Sequence, residues 1–337
     1  MPDLRAGLTF AAACCLLSSA GLSRSAAGDQ EPAAAQAAEP RHFVLAAMRQ
    51  DGIALPFAVY DNGDWSAPWP TSVRDLEIPA SLDAIPEKWW GGDAPASWSL
   101  WLAESTTPRP VSLRKPIIVV VGRARRVGLH TDHSGAPGVR PFELPYPKAG
   151  LAIGGGVKVQ PIARVSSQIE NWRLLTTLLR EDIDEAERKT INGLRSNVKW
   201  RHPFSDEQRS KTPATLESWY TTALEQPGFS VSYIEAVKKY PPEPWEEGCG
   251  LETFISGWVH HNVRQPKPRG ILTADVTYCD REGVSYMLPL GLIRAGNRTH
   301  WAFQVSSWER EWYAVIQATP GRVRYVAEYY GGGAFPE

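Results

Sequence analysis

The chain has 337 residues, enough for roughly two domains once a leader is removed. At 43% hydrophobic and 22% charged it has the composition of a core-forming globular protein, which excludes a disordered or fibrous chain. The formal net charge of −1 excludes a strong field that would steer the protein onto nucleic acid or an anionic membrane.

Residues 1–27 have the layout of an export signal. Arg5 gives a positive start, Leu8 to Leu22 is apolar and uncharged, and Ser25, Ala26 and Ala27 supply the small residues a signal peptidase admits. The apolar run is shorter than the roughly 20 residues that span a bilayer, so no integral membrane span is expected after cleavage. An extracytoplasmic location, periplasmic or secreted, follows. Residues 28–41, small and polar with two prolines, read as a flexible linker.

A β-rich N-terminal domain is expected over 42–163. His42 to Arg49 and Ile53 to Tyr60 look like strands, and Asp61, Asn62, Gly63 and Asp64 form a turn signal because Asn and Gly tolerate positive φ. A Pro- and Trp-rich stretch runs from Ser66 to Trp101. Ile117 to Val121 is a continuous apolar, β-branched run, which predicts a strand buried on both faces. The basic group Arg123, Arg125 and Arg126 reads as a solvated strand end.

A helical segment is expected over 164–242. Ser167 and Glu170 have capping-box spacing, and Ile169, Trp172, Leu175, Leu179 and Ile183 recur at helical steps. Asp184 with Arg188 and Glu185 with Lys189 make favourable i,i+4 pairs. Thr212 and Pro213 predict a second helix, with Leu216, Trp219, Tyr220, Ala223 and Leu224 as its stripe and Pro227-Gly228 as its stop. Ser232 and Glu235 predict a third, ended by Pro241 and Pro242.

Period two governs the C-terminal part, 243–337. Leu272 to Tyr278, His300 to Val305 and Val323 to Tyr329 alternate, and turn signals fall at Ala295 to Arg298 and at Pro320-Gly321. Short turns between successive strands imply an antiparallel meander. The expected fold class is therefore α+β: a β-rich N-terminal part, a central helical segment and a C-terminal antiparallel β meander.

Complete catalytic motifs are missing from the sequence. His130, Asp132 and His133 could give a divalent metal two ligands, with a third from His260 or His261, but no HExxH or CxxC accompanies them. Glu243, Glu246 and Glu247 around Trp245 place carboxylates beside an aromatic, with nothing to fix the separation that glycoside chemistry needs. Cys249 and Cys279 remain after the signal is removed, and an even pair in an oxidising compartment predicts a disulfide. Among the 14 tryptophans, Trp89, Trp90, Trp98 and Trp101 crowd a loop-rich region. Flat rings on such a surface could hold a polysaccharide or peptide, while the plainer reading is core packing. Two functions are expected on these grounds. The first is a non-catalytic extracytoplasmic binding or interaction protein for a carbohydrate or peptide, with no cofactor and no nucleic-acid partner. The second is an exported hydrolase, metal-assisted through His130, Asp132 and His133.

Overall fold

The structure is a computed structural model, which describes residues 41–333 other than 71–77, 104, 122–123, 136–147, 168, 243–249, 282 and 308–309. The expected signal segment lies outside the described residues, as do the Glu170 side chain of the expected Ser167–Glu170 capping box, Arg123 of the basic group, the acidic loop around Trp245, and Cys249.

The first sheet grows from a hairpin of β1 (His42–Arg49) and β2 (Ile53–Asp61), whose turn is braced by a two-pronged Arg49–Asp51 pair at 3.0 and 2.6 Å. The expected Asn62-Gly63 turn, with φ of 48° and 108°, returns the chain into β3 (Asp64–Ser66). A four-residue helix α1 (Glu87–Trp90) leads to β4 (Trp98–Leu102), β5 (Arg109–Val111), β6 (Leu113–Val121), β7 (Ala124–Thr131) and β8 (Lys148–Gly154). All pairings are antiparallel, in the order β5-β4-β8-β1-β2-β7-β6, with β3 beside β2. The Ile117 to Val121 run is not doubly buried: β6 is an edge strand and Val120 is 53% exposed. A β-branched run favours any pleated strand, so by itself it does not say which faces are covered.

The helical centre needs a larger correction, and with it the α+β class: the described chain is mostly β. Helix α2 (Ile169–Leu178) and helix α3 (Arg180–Asn197) occupy the first expected helix, broken at Leu179. Helix α4 (Asp206–Lys211) is short and carries its own capping box from Ser205 and Gln208. Beyond it the two remaining expected helices are strands, β11 (Ala214–Ala223) and β12 (Phe229–Lys239). Thr212 closes α4 rather than opening a helix. In β11, Trp219, Tyr220, Thr221 and Thr222 are strand formers, and apolar steps of three and four over ten residues do not separate the two periods. In β12, Ile234 and Ala236 pack toward the helices, while Tyr233 turns to the opposite side, an alternation of period two.

These strands belong to a second sheet, β10-β11-β12-β13-β14, with β10 (Ala163–Arg164), β13 (Leu251–Asn262) and β14 (Gln265–Tyr278). A third sheet, β18-β17-β16-β15-β9, holds β9 (Val159–Gln160), β15 (Tyr286–Ala295), β16 (Arg298–Ser307), β17 (Arg310–Thr319) and β18 (Arg322–Gly333). It takes in the His300 to Val305 and Val323 to Tyr329 strands of the expected meander and adds β9 from earlier in the chain. The expected Leu272 to Tyr278 strand lies instead in the second sheet as part of β14, so the C-terminal segment is split between two sheets.

The third sheet is the middle layer. One face meets the first sheet, where Phe57 stacks on Tyr313 with ring centroids 5.2 Å apart. The other meets the second sheet, where Trp258 sets its edge against Trp301 at 5.1 Å. Helix α3 covers the far face of the second sheet, and Thr190 donates to the Ala274 carbonyl at 2.7 Å. Three apolar clusters fill the three interlayer spaces. Among the described residues no helix is long and apolar enough to cross a membrane.

Candidate functional site

Three tight turns converge at one end of the second and third sheets. Gln226 to Phe229 turns through Pro227 and Gly228 (φ 84°), closed by a Phe229 N–H to Gln226 carbonyl bond of 3.2 Å. Gly296 and Asn297, at φ 58° and 55°, join β15 to β16, the positive pair that a two-residue hairpin loop demands. Pro320 and Gly321 (φ 72°) join β17 to β18.

Between them lies a cleft of about 530 Å³ lined by Leu224, Glu225, Gln226, Asn297, Arg298, Gln317, Ala318, Thr319, Pro320, Arg322 and Arg324. Leu224 and Ala318 are buried, whereas all three arginines are exposed. Thr299 is fully buried, and its hydroxyl donates to the Glu225 carboxylate. Arg324 donates to the Gln317 side chain at 3.1 Å. His300, buried beside Trp65, is pushed down to about 4 by burial above all, with the charges of Arg298 and Arg324 adding to it, so it is uncharged at neutral pH. On a chain of net charge −1, three arginines against one carboxylate make a local positive site. Such a grouping of guanidinium groups can hold an anion.

The other charged clusters are turned inward. A second cleft of about 310 Å³, at Asp184, Glu187, Arg188, Asp206, Glu207, Arg209 and Ser210, sits over an internally paired network. Lys238 reaches Asp184 at 2.6 Å and Glu187 at 2.9 Å, and Glu187 also accepts from Tyr240 and Thr253. Asp184, expected to pair with Arg188 on a wet helix face, thus fastens α3 to β12. Between the first and third sheets, Lys148 donates to Glu311 at 2.9 Å, and Arg126 lies 3.9 Å from the same carboxylate with Tyr313 and Tyr329 rings under its guanidinium. Arg126 is 1% exposed, so the reading of its basic group as a solvated strand end fails for this residue, while Arg125 is exposed as expected.

Trp69, Trp89, Trp90, Trp98 and Trp101 are also turned into the core. Trp69 packs on Trp89 at 5.4 Å and Trp90 at 4.9 Å, and Trp90 on Trp98 at 6.1 Å. Trp89, Trp90, Trp98 and Trp101 are between 3% and 7% exposed, so the rings read as a ligand surface are packing groups. Gly154 makes room for them: a Cβ there would come 2.7 Å from the Trp98 ring.

His130, Asp132 and His133 stay together at the end of β7, where a neighbour engages the Asp132 carboxylate. The Asp132 carboxylate accepts the Ser112 N–H at 2.9 Å, which holds it below the usual carboxylate range, and the His133 N–H donates to Thr131 at 3.1 Å. His260 and His261 belong to β13 in another sheet, with the third sheet between the two groups. Among the described residues no three His, Cys, Asp or Glu side chains converge on a metal position. Cys279, just past β14, is disulfide-bonded.

The arginine cleft is not legible along the chain, because its residues are scattered over a hundred positions. The sequence carries part of the signal: two of its three turns have hairpin-turn residues, and the third has the Pro227-Gly228 pair that suits a helix stop equally well. Comparison with known protein families, curated proteins and solved structures finds no match.

Proposed function

We propose that this is an exported, non-catalytic binding protein that works outside the cytoplasm and holds a carbohydrate or peptide ligand in the three-turn cleft. The observation that carries the reading is the cleft itself: an open, polar concavity on turns held by a rigid sheet scaffold, where binding residues concentrate. Export is supported by the layout of residues 1–27 and by a disulfide at Cys279. We assign Cys249 as its partner, because Cys249 and Cys279 are the two cysteines left in the sequence once residues 1–27 are removed.

The test is retention of the mature protein on insoluble polysaccharides, cell-wall material and immobilised peptides, with assay of released reducing ends and amines. Retention without release supports a binding protein. Release of product overturns it in favour of the exported hydrolase, and failure to be retained on any of them overturns the carbohydrate-or-peptide reading. N-terminal sequencing of the exported protein should begin at Gly28.

A further inference from the structure

We propose that the cleft is an oxyanion site, built for a ligand that carries two carboxylate or phosphate groups, with Arg322 and Arg324 as the paired anchors and Arg298 facing them; this rests on the reading of the cleft as the binding site. Arg322 and Arg324 are two residues apart on β18, so they leave the same face with Cα atoms about 7 Å apart. Their register partners on β17 are Thr319 and Gln317, which puts a neutral polar side chain beside each guanidinium. Gln317 holds Arg324 at 3.1 Å, limiting the freedom it would lose on binding. Arg298 enters from the β15–β16 turn on the other side.

Electrostatics agree with this assignment. Glu225 is the lone carboxylate among the described lining residues, and the Thr299 hydroxyl engages it. No aromatic ring lines the cleft among the described residues, so stacking on a neutral sugar face is not on offer. The other arginine-bearing cleft does not compete, because Arg209 is already spent on the Phe204 carbonyl at 2.6 Å and the Asp206 carboxylate at 2.5 Å.

The experiment is calorimetric titration of the mature protein with pyrophosphate, trigalacturonate and, as the neutral control, maltotriose. Binding of pyrophosphate or trigalacturonate with none of maltotriose is expected, and whichever anion binds identifies the oxyanion as phosphate or carboxylate. Raising salt from about 0.05 M to about 0.5 M should weaken it, since exposed pairs are screened. Loss of two charge-assisted anchors in the Arg322→Ala, Arg324→Ala double variant should cut affinity at least about tenfold. Glu225→Gln should tighten binding severalfold by removing a competing charge, an effect a merely structural role would not produce. Because the substituted arginines are exposed, near-native circular dichroism and melting are expected for the double variant. Anion binding that survives in the folded double variant overturns the proposal, as does absence of binding by both anions. Retention on neutral polysaccharide with neither anion bound overturns this inference alone and leaves the binding-protein reading standing.

Discussion

Glu235 illustrates how one side chain is retuned by the layer packed over it. It is 4% exposed between β12 and β15 and accepts the Met287 N–H at 2.8 Å. Burial, reinforced by Glu217, raises its carboxyl to about 7 against an ordinary 4.5. The folded state therefore holds a proton that the unfolded chain has released between those values. Its stabilising contribution is complete below about pH 4.5 and is lost as pH rises through about 7, on the order of 3 kcal/mol. Urea unfolding of wild type and Glu235→Gln at about pH 5 and pH 8 should show that the substitution removes this part of the pH dependence. His300 acts in the opposite sense. Its pKa is lowered, so its contribution is present above about 6.5 and is lost as pH falls through about 4. Lys148 and Arg126 make a second contrast around Glu311. Lys148→Met leaves a buried carboxylate with Arg126 at 3.9 Å and should cost about 3–5 kcal/mol. Arg126→Met keeps the 2.9 Å Lys148 bond to Glu311 and removes only the longer 3.9 Å contact to that carboxylate, so it should cost less than Lys148→Met. Equal losses in thermal melts would refute that division.

Elements were legible where one period dominated a long window. The first expected helix lies where α2 and α3 run, and the alternating C-terminal segments lie in strands, because burial of one face demands a sustained pattern. Residues 214–239 went the other way. Ser232 and Glu235 imitate a capping box, yet Ser232 is fully buried beside Thr221 at 3.0 Å and Glu235 faces the opposite layer. A serine three residues before a glutamate marks a helix only if the intervening backbone is free to coil. Here it is claimed by ladders to β11 and β13. The short helix α1 makes the same point about side chains, since both of its tryptophans point inward. Trp90→Ala should therefore cost about 3–5 kcal/mol, read as a lower urea midpoint, through lost transfer energy and the cavity left behind. Unchanged stability with lost retention on a ligand matrix would return Trp90 to a binding role.

For the molecule as a whole, stability is divided among three interlayer cores, and the described β13–β14 pair ends beside Cys279. Closing a loop from residue 249 to 279 should add about 3–4 kcal/mol. Cys249→Ser with Cys279→Ser should lower the urea midpoint by that amount, and a non-reducing peptide map of the wild type should contain the 249–279 cross-link. A map in which Cys279 is joined to another cysteine would refute the pairing.

By itself the sequence determined the local and additive properties of this protein: a near-neutral charge, a leader-like first segment, one helical run, and the turn residues that need positive φ. Each depends on neighbours a few positions away, so it can be read along the chain. Tertiary structure alone decided what faces what. It decided that residues 214–239 complete a sheet, that Arg126 is buried while Arg322 and Arg324 are not, that the tryptophan cluster is core, and that turns near residues 227, 296 and 320 meet around one cleft. These outcomes depend on sheet order and layer stacking. Such contacts join residues far apart in sequence, and they override local propensity because burying a whole layer outweighs the fraction of a kcal/mol per residue by which propensities differ.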